Sequence, residues 1–460
     1  MTRYFQSINP ATGEEISRYP LMTADQIESR LEAGAVAAEA WSELSLVERS
    51  AAIARLGQVL AARRDELARL ISLEMGKPIT AALVEVDKCV FLCRWYAENA
   101  PALLADETAD VGGDEAVIRY LPLGIVLAVM PWNFPLWQVL RAAVPVMIAG
   151  NGLVLKHADN VQGCALALEA CFGEADFTPH VFNLIQADRD SVAGLLADPR
   201  IAALTVTAGV GAGSALAAEA GRHLKKSLLE LGGSDPFIVL ADAELEAAVA
   251  TAVTARFQNC GQVCIAAKRI IVEKPIAEEF TRRFVEAAAA LNVGDPLDPA
   301  TQMGPMSRPR LRAEVHDQVE RSCRAGARLL LGGTIPEGPG AYYLPTVLVD
   351  VPEGAPVLVE ECFGPVAPIV VADDAEQAIR IANDSAFGLS AALWSGNLEQ
   401  ARQLARRIRT GGVFINGMSA SDPRVPIGGI RHSGYGRELS HFGLKEFTNP
   451  QLVWVKGAGR

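Results

Sequence analysis

The sequence predicts an α/β protein made of two doubly wound parallel-sheet domains. Three observations carry this expectation. Strand-length apolar runs alternate with segments of helical periodicity, the pattern of βα units in a parallel sheet. That series runs to completion, meets the pair Gly232-Gly233, and starts again. The chain has 460 residues, too many for one ordinary core.

The elements follow in order. Ala24–Ser72 is rich in Ala, Leu, Arg and Glu, and Ile27, Leu31, Ala35 and Ala38 recur at helical spacing. A β-like stretch, Ala116–Met130, contains a Pro-Leu-Gly turn at Pro122–Gly124. Helices are predicted at about Phe134–Ala149, Val161–Cys171, Ser191–Leu196 and Ser214–Ala220. Between them fall strands at Gly152–Lys156, His180–Ile185 and Ala203–Thr207. After Lys225–Leu231 comes the Gly pair. The second series has strands at Pro236–Leu240, Lys268–Glu273, Ala327–Leu331, Ala367–Val371 and Ala391–Trp394. Its helices are Glu244–Gln258, Ile276–Leu291, Pro309–Ala325 and Ala375–Ala382.

Composition excludes several classes of function. Half the residues are hydrophobic and 21% are charged, as in a globular protein. No apolar run is long enough to span a bilayer. The first residues lack the apolar stretch of a secretory signal, so a cytoplasmic setting is expected. The net charge is −12 with no basic stripe, which argues against nucleic acid as a partner. An anionic substrate would need a local cation to overcome that field. Eight cysteines are scattered without a disulfide framework or zinc spacing, and the six histidines form no metal motif, so no metal is expected.

Five segments could carry chemistry. Cys264 ends the run Phe257-Gln258-Asn259-Cys260-Gly261-Gln262-Val263-Cys264, in a connection between helix and strand with Gly261 as a plausible helix cap. It reads either as a nucleophile or as a buried structural thiol. Glu230 follows two leucines and precedes Leu231-Gly232-Gly233. A carboxyl group in apolar surroundings has a raised pKa and suits a general base, whereas a strand-end acid is ordinarily solvated. Asn133, in Met130-Pro131-Trp132-Asn133-Phe134-Pro135, reads as a helix N-cap or as a donor to an oxyanion. Thr207 precedes a Gly-rich turn (Gly209, Gly211, Gly213) at a helix start, a setting for a phosphate. This spacing would also place Glu230 on a ribose hydroxyl. Arg141 shares a helix face with Phe134 and Trp137, and needs either an internal acidic partner or an anionic ligand.

Taken in order, these segments resemble the aldehyde dehydrogenase superfamily. The resemblance spans the chain and adds Val154-Leu155-Lys156, Glu360-Glu361-Cys362-Phe363-Gly364-Pro365 and Pro426-Ile427-Gly428-Gly429. It implies a Cys264 nucleophile, a Glu230 general base, and an oxyanion hole from Asn133 and the Cys264 backbone N–H. It also implies a cofactor site from Pro131, Trp132, Lys156, Asp159, Thr207, Gly209, Gly213, Leu231, Gly232, Glu361 and Phe363. The implied domains are a dinucleotide-binding unit (1–103 and 123–232) and a catalytic unit (233–427). Residues 104–122 and 446–460 would form a small β extension serving a homodimer or homotetramer.

Within the superfamily, Arg141 and the stretches Gly232–Phe237, Asn416–Asp422 and Ser433–Glu438 make the chain most similar to succinate-semialdehyde dehydrogenases. This resemblance gives Arg141 the substrate's distal carboxylate, with Trp137, Gln258, Ser419 and Ser421 nearby. Many relatives have a second arginine where Gln258 stands, and commonly Gly-Ser where Ala208-Gly209 stands. Asp159 would repel a 2′-phosphate, so NAD is expected in preference to NADP.

Overall fold

The computed structural model describes residues 3–457. Met1, Thr2 and residues 458–460, which belong to the two terminal segments assigned above, lie outside the described residues. Two large sheets organise the chain. The first has six strands in the order Gly434–Tyr435, Lys226–Glu230, Ile201–Thr207, Ile125–Met130, Gly152–His157 and Phe182–Leu184. All its pairs are parallel except the first. The second has seven, in the order Arg328–Leu331, Thr346–Val349, Val366–Ala372, Ala267–Glu273, Asp235–Val239, Ser390–Trp394 and Gly412–Ile415. Only its first pair is antiparallel.

The central strands are apolar on both faces because helices cover both. Ile125–Met130 and Asp235–Val239 are almost entirely buried. The predicted helical stretch at the N-terminus is three helices, Ala24–Ser42, Leu46–Ala62 and Arg64–Met75. The first two start at capping boxes, Thr23 with Gln26 and Ser45 with Glu48, which satisfy free amides at each helix start. A fourth helix, Ile79–Leu103, is absent from the sequence-based assignment, although Ala82, Val86, Cys89, Cys93, Tyr96 and Ala100 mark its buried face at helical spacing.

The β-like stretch Ala116–Met130 is two strands in different sheets. Gly124, at φ +128°, turns the chain between them. Glu115–Pro122 pairs with Glu107–Thr108 and with Thr448–Val455 in a separate three-stranded antiparallel sheet. The C-terminal part also returns to the first sheet, through the strand Gly434–Tyr435 and the helix Ser440–Glu446. Among the described residues no helix is long and apolar enough to cross a membrane.

Candidate active site

Ligands of open α/β sheets collect at the carboxyl ends of the strands. Here a cleft of about 660 Å³ opens at that edge of the first sheet. Pro131 and Trp132 follow one strand into it, Lys156 and Asp159 come from the next, and Thr207 and Gly209 from a third. The helix Val210–Arg222 begins immediately after Gly209, and Ala212 and Leu216 also line the cleft. A Cβ on Gly209 would meet nothing within 4 Å, so a ligand can approach its backbone closely. Gly213 serves packing instead. A Cβ there would overlap Leu231, so its absence lets the helix lie close against the strand. The rings of Trp132 and Phe363 stand edge to face at 5.9 Å. A cleft at the strand ends, lined by a helix start and by the Trp132 ring, fits a dinucleotide.

Lys156 pairs with Asp159 at 2.8 Å, so Asp159 is already neutralised in part. Arg189, Arg308 and Arg310 border the same cleft. The sequence signals did not single out these arginines, because Arg189 precedes the helix Ser191–Ala197 while Arg308 and Arg310 start the distant helix Pro309–Arg324.

Cys264 lies between the helix Leu245–Phe257 and the strand Ala267–Glu273 and is half-buried. The helix does not end in the expected Gly261 cap. It ends at Phe257, and Gln258 leads into a turn in which Asn259, Cys260 and Gly261 are all left-handed, with φ of 53°, 55° and 70°. Two non-glycine residues in this region are strained, which marks a shape imposed by surrounding contacts. Asn259 supplies some of them, donating to the carbonyls of Asn133 (2.9 Å) and Gln262 (3.3 Å). A Cβ on Gly261 would strike the backbone of Gly364. Cys260 is fully buried.

A cation lies under the nucleophile loop. Lys268 is buried, and its ammonium donates to Gly233 O (2.6 Å), Cys264 O (2.9 Å) and Glu361 Oε1 (2.7 Å). Its three protons therefore have three acceptors. Glu361 also accepts from the Gly233 N–H at 3.0 Å, and a Cβ on Gly232 would overlap its carboxylate. Burial pushes the Cys264 thiol up to about 11; Arg141 and then Lys268 pull it down, and Glu230 and Glu361 raise it.

Glu230 ends its strand fully buried, and its carboxylate oxygens have no hydrogen-bond donor. It lies 3.6 Å from Arg141, which also ion-pairs with Glu438 at 2.5 Å. One guanidinium is thus shared by two buried carboxylates. Burial raises Glu230, Arg141 opposes the rise, and Glu438 reinforces it. Raised in this way, Glu230 is a stronger proton acceptor than an exposed carboxylate. Glu438 closes the stretch Ser433–Glu438 that contributes to the family resemblance, but the sequence gives it no role, because its partner Arg141 lies almost three hundred residues earlier.

Asn133 does not cap the helix that follows it. That helix starts at Trp137, and the amides of Leu136 and Trp137 both donate to Glu85 Oε1 at 3.0 Å. The Asn133 amide instead donates to Gln262 O at 3.0 Å, two residues before Cys264. One of its two amide protons is thereby held toward the nucleophile loop.

The expected substrate residues divide into groups. Arg141 is engaged with its two carboxylates and Thr207 Oγ1 (3.5 Å). Trp137 lies one turn earlier, with Lys88 Nζ 4.1 Å from its ring centre. Ser421 Oγ accepts from the same Lys88 at 2.8 Å. Ser419 Oγ is bonded to Ser390 Oγ at 2.5 Å, and Gln258 sits at the end of the helix Leu245–Phe257.

This constellation of a half-buried thiol, an oriented amide, a buried carboxyl and a dinucleotide cleft defines a class, and comparisons with known proteins bear on it directly. The aldehyde dehydrogenase family matches residues 1–453. The succinate semialdehyde dehydrogenase Sad of Escherichia coli K12, described as using NAD(P)+, is 54% identical over 448 residues, covering 97% of each chain. A probable NADP+ succinate-semialdehyde dehydrogenase of Synechocystis is 46% identical over 98% of this chain and 99% of the relative. A crystal structure of succinic semialdehyde dehydrogenase from Streptococcus pyogenes with NADP+ superposes with a TM-score of 0.96 at 35% identity, over 98% of this chain and 99% of that one. The chain belongs to the aldehyde dehydrogenase family, and it is an enzyme that oxidises an aldehyde with a nicotinamide dinucleotide.

Proposed function

We propose that the protein oxidises succinate semialdehyde to succinate through a thioester on Cys264. The observation that carries this reading is that Lys268 bonds the carbonyls of both Cys264 and Gly233, which holds the thiol loop against the segment following Glu230, whose carboxylate faces Arg141. The relatives' succinate semialdehyde activity points to the substrate. Cys264 gives up its proton to solvent and attacks the aldehyde carbon as the thiolate, and the oxygen that becomes anionic is held by the Asn133 amide and the Cys264 N–H. The dinucleotide, when bound, supplies the hydride acceptor that leaves the carbon at the oxidation level of an acid. Glu361, braced by Lys268, would hold the nicotinamide ribose, and the paired rings of Trp132 and Phe363 would shield that end of the cofactor from water. Glu230 then takes a proton from water, which attacks the thioester and releases the acid.

Cys264→Ala protein is expected to bind cofactor and produce no burst of NADH in a rapid-mixing assay with aldehyde. A burst of normal size would remove Cys264 from the chemistry.

The relatives include both NAD(P)+ and NADP+ enzymes. Asp159 favours NAD by repelling a 2′-phosphate, but it is paired with Lys156 and faces three arginines around the same cleft. We therefore infer use of both cofactors, with the preference for NAD resting on Asp159 alone; a kcat/KM clearly higher with NADP would cancel that preference. A broader aldehyde range is the competing reading, favoured by the prior engagement of Arg141 with two carboxylates. The eight unbridged cysteines suit a reducing cytosol. Assembly as a homodimer or homotetramer is proposed through the three-stranded sheet, whose edge strand Thr448–Val455 exposes Leu452, Trp454 and Val455.

A further inference from the structure

We infer that Lys88, with Ser421 beside it, anchors the distal carboxylate of the substrate and sets the preference for carboxylated aldehydes. The inference rests on the substrate reading above and names the group that executes it.

A carboxylated substrate in an acidic protein needs a cation whose charge is not already taken. Arg141 does not meet that need. Its single positive charge faces Glu230 and Glu438, all three side chains being almost fully buried. A third carboxylate would enter a cluster already negative overall, at high cost in low dielectric.

Lys88 does meet it. It projects from the helix Ile79–Leu103, is half-buried, and has no carboxylate within ion-pairing distance among the described residues. Its ammonium rests 4.1 Å from the centre of the Trp137 ring and donates to Ser421 Oγ at 2.8 Å. The nearby anions are engaged elsewhere. Asp422 pairs with Arg424 at 2.7 Å. Glu85 is paired with Lys77 and accepts two backbone amides. Burial first, and then the charge of Arg141, lower the Lys88 ammonium to about 8, as expected of a cation short of a counter-ion.

The location is also appropriate. Lys88 rests on Trp137, one helical turn before Arg141, and Arg141 reaches Glu230 at 3.6 Å. Lys88 therefore lies one side chain beyond the reacting groups, where the far end of a short aldehyde arrives. Because Ser421 accepts from Lys88, its own proton remains free to donate. Ammonium and hydroxyl together offer a carboxylate two donors, and the Trp137 ring offers an apolar surface to the methylenes.

The test is the ratio of kcat/KM for succinate semialdehyde to that for butanal, measured on one preparation so that inactive protein cancels. In Lys88→Met the ratio is expected to fall by about 10- to 100-fold, the loss of a charge-assisted hydrogen bond. In Lys88→Arg, most of the ratio should return. A ratio unchanged in Lys88→Met overturns the inference while leaving the substrate reading intact. A wild-type ratio near one overturns the substrate reading, and the inference with it.

Discussion

Glu230 and Cys264 both carry a burial penalty against their reactive ionised forms, and each is offset by a nearby cation: Arg141 for the first, Arg141 and Lys268 for the second. The site thus holds its acid and its thiol near neutral while keeping the charges that stabilise them when they ionise. Lys268 lends itself to a direct measurement. Removing a positive charge raises the pKa of a neighbouring thiol, so less thiolate is present at any given pH. In Lys268→Met the midpoint of the pH profile for iodoacetamide alkylation of Cys264 should therefore move upward, by about one unit. An unmoved midpoint would confine Lys268 to bracing the loop. At this scale the proposed reacting residues Cys264, Glu230 and Asn133 are legible only through the ordered set of segments that carries the family resemblance, since each run alone reads equally as structure. The sequence does not mark the residues that tune them. Glu438 and Lys88 reach the site from distant elements, and Lys268 is ordinary in Ala-Ala-Lys-Arg until the fold turns it under the loop.

At the scale of elements, the contrast lies in helix ends. The boundaries of Ala24–Ser42 and Leu46–Ala62 follow local capping rules and can be read from Thr23 and Ser45. The helix carrying Arg141 obeys a tertiary rule. Its first amides are capped by Glu85, from another helix, and that carboxylate also neutralises the buried Lys77. Asn133, which local rules would make the cap, is thereby free to face the nucleophile loop. Glu85→Gln should leave Lys77 buried without its counter-charge, at a cost of about 3–5 kcal/mol. Urea unfolding reports that loss, and a midpoint unchanged from wild type would show that the pair is not a determinant of stability. The left-handed turn at Asn259–Gly261 is a second case of context prevailing: the sequence suggests a simple glycine cap, but contacts with Asn133 and Gly364 draw two further residues into the strained region.

For the molecule as a whole, the alternation of strands and helices was legible, since both sheets are buried on two faces and their strands read as apolar runs. The return of the C-terminal segment was not, because Gly434-Tyr435 is too short to carry a strand signal, and its pairing depends on a partner two hundred residues earlier. Assembly is a property of this scale too. Leu452 is 54% exposed on the edge strand, so Leu452→Glu should place a charge where another copy would pack. Light scattering is expected to show a lower mass than for the wild type. A wild type that is itself monomeric would refute assembly through this edge.

The pairing of Gly434-Tyr435 with Leu229 and Glu230 bears on the order of events during synthesis. Ser433 bonds the carbonyl of Gly232, and its own carbonyl receives the Leu231 N–H, so the strand that presents the base is flanked by the last tenth of the chain. A nascent polypeptide that has not reached Tyr435 has made both sheets' other strands, yet lacks the edge beside Glu230 and lacks Glu438 altogether. Cys264 is thus translated long before the strand that borders Glu230, and this edge of the first sheet forms only when the chain closes back on its first half.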